Sequence, residues 1–160
     1  MTIRIGFGYD SHRFTSGDYL VIGGEKIPFD KGLEAHSDGD VLLHALCDAL
    51  LGAAGMGDIG KHFPDNDPKY KDIQSGVLVK HVMRKLEEKN FMVGNVDSTI
   101  ILEKPKLADY IPVMQGTLSE LLNIALDHVN IKATTNEGMG FIGRGEGIAA
   151  YVSLTLRSKS

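Results

Sequence analysis

The sequence contains a single cysteine, Cys47, among its 160 residues. One cysteine cannot form a disulfide within the chain, so the sequence suits a reducing compartment and we expect the cytoplasm. Long apolar runs are also missing, because none reaches the roughly 18 residues that a membrane-spanning helix needs. The first residues read as a strand rather than a signal peptide. We therefore expect no membrane partner.

An excess of basic charge is absent as well, since the formal net charge is -4 and the pI is near 5.8. Nucleic-acid-binding domains usually have a basic face or a pI above roughly 9. A nucleic-acid partner is therefore not expected. An anionic small molecule would have to be held locally, by a metal ion, backbone N–H groups or a few side chains.

The length and the apolar pattern predict one domain over residues 1–160, of α/β (α+β) class. Strands are predicted at residues 2–9, 96–102, 129–135 and 148–156, with a hairpin at 19–27. Helices are predicted from Ser37, where Ser37 and Asp40 have capping-box spacing, to Ala54, and at 75–89 and 108–126. This order fits one mixed β-sheet with helices packed on one face, plus a small hairpin.

Three metal-ligating side chains form the most informative pattern. Asp10 and His12 are two residues apart, which is the spacing at which a strand places side chains on one face. A helix carrying His44 can bring a third ligand to that pair. Three protein ligands leave one tetrahedral position open, as in a catalytic zinc site. Alternatively, His44 is a core histidine satisfied by Asp40 or Asp48, although the same acid would also suit a ligating histidine as its outer partner.

Two other classes fit parts of this pattern. Two histidines and a carboxylate also describe the facial triad of non-haem iron oxygenases, but the sequence lacks the many-stranded barrel pattern of that class. A non-catalytic nucleotide-binding module is opposed by the concentration of metal ligands and acidic residues.

Cys47 lies near His44 on the helix and is interpreted as a small core residue.

A glycine-rich segment at residues 134–147 is the second candidate site. Its G-x-G-x-x-G spacing at residues 138–143 precedes a strand rather than a helix, which excludes a dinucleotide-binding fingerprint. Such a loop can still direct backbone N–H groups at phosphate oxygens, with Glu137 holding Mg²⁺ between them. The alternative is a simple hairpin linking two strands.

Residues 57–68 form a long loop that carries Asp58, Asp65 and Asp67. These carboxylates suit either hydrogen bonds from ribose or polyol hydroxyls, or turn and cap roles. Lys104 and Lys106 follow a strand and either approach a phosphate or are simply solvated.

The ordered occurrence of several motifs marks a resemblance over essentially the whole chain. The motifs are Asp10-Ser-His12, His36-Ser-Asp-Gly-Asp40, His44-Ala-Leu, Gly57-Asp-Ile-Gly60, Phe63-Pro-Asp-Asn-Asp-Pro68, Asn95-Val-Asp97, Lys132-Ala-Thr-Thr135 and Gly143-Arg-Gly-Glu-Gly147. The chain resembles the 2-C-methyl-D-erythritol 2,4-cyclodiphosphate synthases of the non-mevalonate isoprenoid pathway.

The resemblance implies a lyase that converts 4-diphosphocytidyl-2-C-methyl-D-erythritol 2-phosphate to the cyclic diphosphate and CMP. It also implies a homotrimer with active sites between subunits. Asp10, His12 and His44 would hold Zn²⁺, and Glu137 would hold Mg²⁺ or Mn²⁺ with the substrate diphosphate. His36 and Thr135 match positions that stabilise the transition state.

The remaining matched positions are implied substrate contacts. Those near ribose or the methylerythritol moiety are Ser37, Asp58, Ile59, Gly60, Phe63, Pro64, Asp65, Asn66 and Asp67. Those of the cytidine pocket are Leu102, Glu103, Lys104, Pro105, Lys106, Leu107, Ala108 and Thr134. Asn136, Phe141 and Arg144 are further contacts. The pocket segment departs modestly from the family pattern at Glu103, Lys104, Leu107 and Ala108, where small or larger apolar residues also occur.

Overall fold

The structure, a computed structural model, describes residues 1–159. The strands are β1 Ile3–Thr15, β2 Tyr19–Ile22, β3 Glu25–Pro28, β4 Gly32–Leu33, β5 Phe91–Ile101, β6 Val129–Thr134 and β7 Gly147–Ser158. The helices are α1 Val41–Ala54, α2 Ile59–His62, α3 Ser75–Glu88, α4 Ile111–Leu122 and α5 Gly140–Gly143. Within the described residues, no helix is long and apolar enough to cross a bilayer.

Five strands form one mixed sheet in the order β4-β1-β7-β5-β6, and β2 and β3 form a separate hairpin. β7 is antiparallel to both β1 and β5, while β5 and β6 are parallel. The C-terminal ends of β1, β5 and β6 therefore meet at one edge of the sheet. The predicted mixed sheet and small hairpin are confirmed.

Helix α1 lies against β1 at unusually short range because two glycines face it. A Cβ atom on Gly6 would lie 1.9 Å from the carbonyl oxygen of Ala49, and one on Gly8 would lie 1.9 Å from that of Ala45. Only glycine permits this approach. Because side chains alternate along a strand, Asp10 and His12 continue the same face beyond the glycines.

The helices cover one face of the sheet, as predicted, and the opposite face carries exposed apolar side chains. Ile5 and Phe7 on β1 are 78% and 61% exposed, and Ile3, Tyr9 and Tyr151 are also exposed. Tyr151 contacts both aromatic neighbours, with ring centroids 5.8 Å from Phe7 and 5.0 Å from Tyr9. This surface is called the outer apolar face below.

The predicted start of α1 at Ser37 is wrong, because Asp40 is the N-cap residue. Its carboxylate accepts a hydrogen bond from the backbone N–H of Leu43 at 3.0 Å and also from those of Gly23 and Gly24, at 2.9 and 2.7 Å. Burial raises the pKa of Asp40 to about 6. One carboxylate therefore caps α1 and fastens the hairpin turn to it.

Other predicted boundaries also differ from the structure. β1 continues past residue 9 to Thr15, because it pairs with β7 as far as Arg13, and Asp10 and His12 therefore lie within it. β5 begins at Phe91 rather than at residue 96, because an irregularity between Val93 and Val96 admits Gly94 and Asn95 within the strand. α4 is shorter than predicted and ends at Leu122, because the C-cap residue Asn123 has a left-handed backbone with a φ of 53°. Single 3-10 turns lie at 108–110 and 126–128, near the two ends of the predicted helix.

Candidate active site

Asp10, His12 and His44 meet in one cluster. Oδ2 of Asp10 lies 2.9 Å from Nε2 of His12 and 3.2 Å from Nδ1 of His44, and the two nitrogens are 3.2 Å apart. A zinc ion with bonds of about 2.0–2.1 Å in tetrahedral geometry separates its donor atoms by about 3.3 Å. The three atoms thus approximate one face of a tetrahedron and suit a shared cation with its fourth position open.

The electrostatics of the cluster agree with that reading. Burial alone would raise the pKa of Asp10, but the hydrogen bonds and charges of His12 and His44 lower it below its usual value. Burial alone would lower the pKa of His44, but Asp10 raises it above its usual value. The carboxylate is thus ionised at neutral pH, as a metal ligand must be.

The outer nitrogen of His44 is held by hydroxyl groups rather than by the predicted acids. Nε2 of His44 lies 2.9 Å from Oγ of Ser37 and 2.9 Å from Oγ of Ser75. The Ser75 hydroxyl donates to the Asp38 carboxylate, which also accepts the Ser75 backbone N–H at 3.0 Å. These contacts direct Nδ1 of His44 toward the cluster.

The expectation that Asp40 or Asp48 contacts the His44 ring is therefore wrong. Asp40 is occupied as the cap of α1, and Asp48 accepts a hydrogen bond from the backbone N–H of Ile59 at 2.8 Å. Burial raises the pKa of Asp48 above its usual value. Cys47 is fully buried, as predicted for a small core residue.

A cavity of about 350 Å³ opens in front of the cluster. It is lined by Asp10, His12, Ala35, His36, Ser37, His44, Asp48, Ile59, Gly60, Phe63, Asp65, Tyr70, Ile73 and Leu78. His36 lies at its wall, with Nε2 3.4 Å from the Asp67 carbonyl oxygen. Six predicted substrate-contact or catalytic residues thus share one cavity with the cluster: His36, Ser37, Ile59, Gly60, Phe63 and Asp65.

The acids of the long loop divide between the two roles predicted for them. Asp58 caps α2 by accepting the Lys61 backbone N–H at 2.9 Å, and Asp67 accepts that of Lys69 at 3.0 Å. Asp65 lines the cavity instead. Pro64 and Asn66 flank it on the exposed side of the same loop.

A second cavity, of about 210 Å³, lies where β5 and β6 end. It is lined by Leu102, Glu103, Pro105, Lys106, Leu107, Ala108, Ile111, Ala133, Thr134 and Thr135, which include most of the predicted cytidine pocket. Lys104 is exposed beside it and is not among the lining residues.

The glycine-rich segment is an exposed loop that contains the four-residue helix α5, and β7 follows it. Glu137 has a left-handed backbone, with a φ of 53°, and its side chain is exposed. Its backbone N–H donates to Oγ1 of Thr135 at 3.2 Å. Phe141 is exposed, and Arg144 forms a 2.6 Å ion pair with Glu146. The rejection of a dinucleotide fingerprint agrees with this geometry, since no long helix follows the glycines.

The two cavities open along the same sheet edge but share no lining residue. Ser11 pairs with Ala149, Ala149 with Ile101, and Ile101 with Thr134. The step from β1 to β6 is therefore three strand spacings, or about 14 Å.

Comparisons with known proteins agree with the site. The model of the YgbB family matches residues 3–157, and the chain belongs to this family. A 2-C-methyl-D-erythritol 2,4-cyclodiphosphate synthase of Pseudomonas paraeruginosa is 57% identical over 157 residues, covering 98% of this chain and 100% of that protein.

Two solved structures share the fold over 99% of the chain. The bifunctional IspDF of Campylobacter jejuni aligns with a TM-score of 0.95 at 43% identity, and the chain spans 43% of that protein's length. A CDP complex of IspF from Plasmodium falciparum aligns with a TM-score of 0.87 at 34% identity, over 97% of that protein.

Proposed function

We propose that this enzyme converts 4-diphosphocytidyl-2-C-methyl-D-erythritol 2-phosphate to 2-C-methyl-D-erythritol 2,4-cyclodiphosphate and CMP in isoprenoid synthesis. It is a phosphorus–oxygen lyase. The observation that carries the proposal is the Asp10, His12 and His44 cluster, which shares a sheet edge with a separate cavity lined by the implied cytidine-pocket residues. Relatives named as such synthases match the chain over nearly its full length.

The reaction is an intramolecular phosphoryl transfer. An oxygen of the 2-phosphate forms a bond to the β-phosphorus of the diphosphate, while the bond from that phosphorus to the bridging oxygen breaks. The bridging oxygen leaves with CMP, so neither water nor a covalent enzyme nucleophile takes part. Because both reacting groups are anionic, the barrier includes charge repulsion, and holding them in one molecule adds proximity.

Asp10, His12 and His44 would hold Zn²⁺, because their donor set and spacing suit a tetrahedral ion with one open position. Glu137 would hold Mg²⁺ or Mn²⁺, because one exposed carboxylate suits a hard cation that takes its other ligands from water and phosphate. When bound, the two ions offset the negative charge of the reacting phosphates.

The chain's own residues would orient the substrate between these two carboxylate sites. The transition state would be stabilised by His36 at the metal cavity and Thr135 beside Glu137. The ribose or methylerythritol moiety would lie against Ser37, Asp58, Ile59, Gly60, Phe63, Pro64, Asp65, Asn66 and Asp67. Cytidine would lie against residues 102–108 and Thr134, and further contacts would come from Asn136, Phe141 and Arg144.

We also propose that the protein is a homotrimer with shared active sites, and that residues 1–160 form one catalytic domain. The outer apolar face supports the trimer, because exposed apolar patches of this kind usually mark an interface. The three strand spacings of about 14 Å between β1 and β6 support shared sites, since a neighbour can bring its own loop to the metal cluster. The cytoplasm stays a prediction from the single, buried Cys47.

The test is product analysis with zinc-loaded protein, the diphosphocytidyl substrate and Mg²⁺. We expect CMP and the cyclic diphosphate to form in equal amounts, as measured by chromatography and phosphorus NMR. We expect no product after zinc removal. CMP with an open-chain phosphate would instead indicate hydrolysis. Nucleotide binding without CMP release would indicate the non-catalytic module, and iron as the purified metal would favour the oxygenase, whose barrel the five-stranded open sheet does not resemble.

A further inference from the structure

The Glu103 carboxylate binds the backbone of the glycine-rich loop rather than pointing only into the nucleotide cavity. Its Oε2 accepts a hydrogen bond from the Asn136 N–H at 2.7 Å, and its Oε1 accepts one from the Gly138 N–H at 2.9 Å. Both oxygens are thus used, each by a residue that flanks Glu137. Two charge-assisted bonds from one carboxylate fix the orientation of the segment they hold.

The held segment is conformationally unfavourable by itself. Glu137 has a φ of 53°, which L side chains rarely adopt, and such a backbone persists only where its surroundings hold it. The three successive N–H groups of Asn136, Glu137 and Gly138 all have acceptors, two on Glu103 and one on Thr135. Glu103 thus accepts two of these three N–H groups, and the Met139 N–H, which donates to the Asn136 carbonyl oxygen at 3.0 Å, closes the turn.

The negative charge of Glu103 also supports a role in holding the glycine-rich loop. Glu103 places a negative charge beside Glu137 and beside a cavity proposed to take an anionic nucleotide, where repulsion alone would favour a neutral residue. The two N–H bonds offset that cost locally. The segment is tied further by the Leu102 N–H, which donates to the Thr134 carbonyl oxygen at 3.0 Å. The nucleotide segment and the loop of Glu137 therefore form one connected unit.

We propose that Glu103 is a positioning residue: its carboxylate holds the loop so that Glu137 faces the divalent cation bound with the nucleotide diphosphate. This inference rests on the proposed function of Glu137. It assigns Glu103 a role through Glu137, in place of a direct contact with the base.

The test measures Mn²⁺ binding to zinc-loaded protein with saturating CDP, by electron paramagnetic resonance of the free ion. Glu103→Ala should weaken Mn²⁺ binding about 10- to 100-fold, the usual effect of removing a partner that orients a metal ligand. Glu103→Gln keeps one acceptor and should give a smaller loss. Zinc content should be unchanged in both. The matched control is Glu88→Gln on the exposed face of α3, which removes the same charge and should stay within about twofold of wild type.

A double variant separates this inference from the function it rests on. If Glu103 acts through Glu137, adding Glu103→Ala to Glu137→Gln should cause no further loss of Mn²⁺ binding. Equal losses in both backgrounds would overturn the inference alone, as would normal Mn²⁺ binding by both Glu103 variants beside a defective Glu137→Gln. Normal binding by Glu137→Gln itself would overturn the metal role of Glu137 and the inference with it.

Discussion

The two ends of the proposed site are built in different ways. At the metal cluster, the side chains of Asp10, His12 and His44 are 25%, 17% and 13% exposed and come from a long strand and a buried helix. At the other end, Thr135 and Glu137 are exposed on a loop. Tight packing therefore organises the first end, while individual hydrogen bonds organise the second.

This difference predicts which changes are tolerated. Gly6 and Gly8 bring α1 against β1, so the packing of the fold holds Asp10, His12 and His44 together. The loop is held by hydrogen bonds to Glu103 and Thr135. Losing a ligand at the first end should remove the ion, whereas changes at the second should alter cation response and leave zinc in place.

The largest effect is expected from His44→Ala. One of three ligands is lost, so we expect loss of zinc and at least a 1,000-fold loss of activity, roughly the several kcal/mol a catalytic metal supplies. Asp10→Asn and His12→Ala should behave alike. Zinc content, CMP release and the melting temperature are measured, with the exposed His128→Ala as control. Wild-type zinc content in all three variants would rule out the cluster as the metal site.

Glu137→Gln should retain zinc but lose its response to Mg²⁺ and about 100-fold or more of its turnover. The amide keeps the shape of the carboxylate but removes the charge that a hard cation needs. CDP should bind nearly as before, because the base pocket belongs to residues 102–108. The measurement is CMP release against Mg²⁺ concentration, with CDP affinity on the same sample. A wild-type Mg²⁺ response would remove Glu137 from the metal site.

Disrupting the outer apolar face should separate the subunits, while the metal cluster and the glycine-rich loop within each subunit stay intact. Phe7→Asp places a charge in that face and should convert a trimer to monomers that keep zinc but lose about 100-fold in turnover, because the substrate is no longer correctly placed. Val113→Asp, at an exposed apolar site on α4, is the matched control and should stay trimeric. Light scattering at assay concentration gives the assembly state, and a fully active monomer would contradict shared sites.

The two ends also differ in what could be predicted from the chain. Asp10 and His12 could be placed together from the sequence, because the alternation of side chains along a strand is a local pattern. His44 could be chosen as the third ligand, because a histidine in a buried helix needs a polar partner. The role of Ser75 could not be predicted, because Ser75 contacts His44 from 31 residues away in the sequence. The periodic patterns of helices and strands do not indicate contacts between residues so far apart in the sequence. The resemblance supplied the loop residues, but it gave Glu103 only as part of a pocket segment.

Boundary errors arise where tertiary contacts decide the outcome. Ser37 and Asp40 both suit a helix cap, and only the hairpin contacts of Asp40 with Gly23 and Gly24 decide between them. Gly94 and Asn95 have turn composition, yet pairing with β7 on both sides keeps them within β5. In each case tertiary contacts override a correct local preference.

The smallest effect is expected at the hydroxyl behind His44, where packing and hydrogen bonding combine. Ser75→Ala removes one of the two oxygens near Nε2 and breaks the link to Asp38, while Ser37 remains 2.9 Å from the ring. We expect zinc affinity to fall about 10-fold, the low end of the usual range for such partners. Competition with a fluorescent chelator measures it.

Ser98→Ala is the matched control for Ser75→Ala, because it also removes a buried hydroxyl, one that donates to the Asn130 carbonyl oxygen at 3.2 Å away from the cluster. It should reduce stability without changing zinc affinity. The pH dependence adds a second check: Asp10 raises the pKa of His44 in the metal-free protein, so a proton competes with zinc and affinity should fall as the pH is lowered. If Ser75→Ala and Ser98→Ala bind zinc equally well at every pH, the metal end is organised by packing alone and the hydroxyl contacts are incidental.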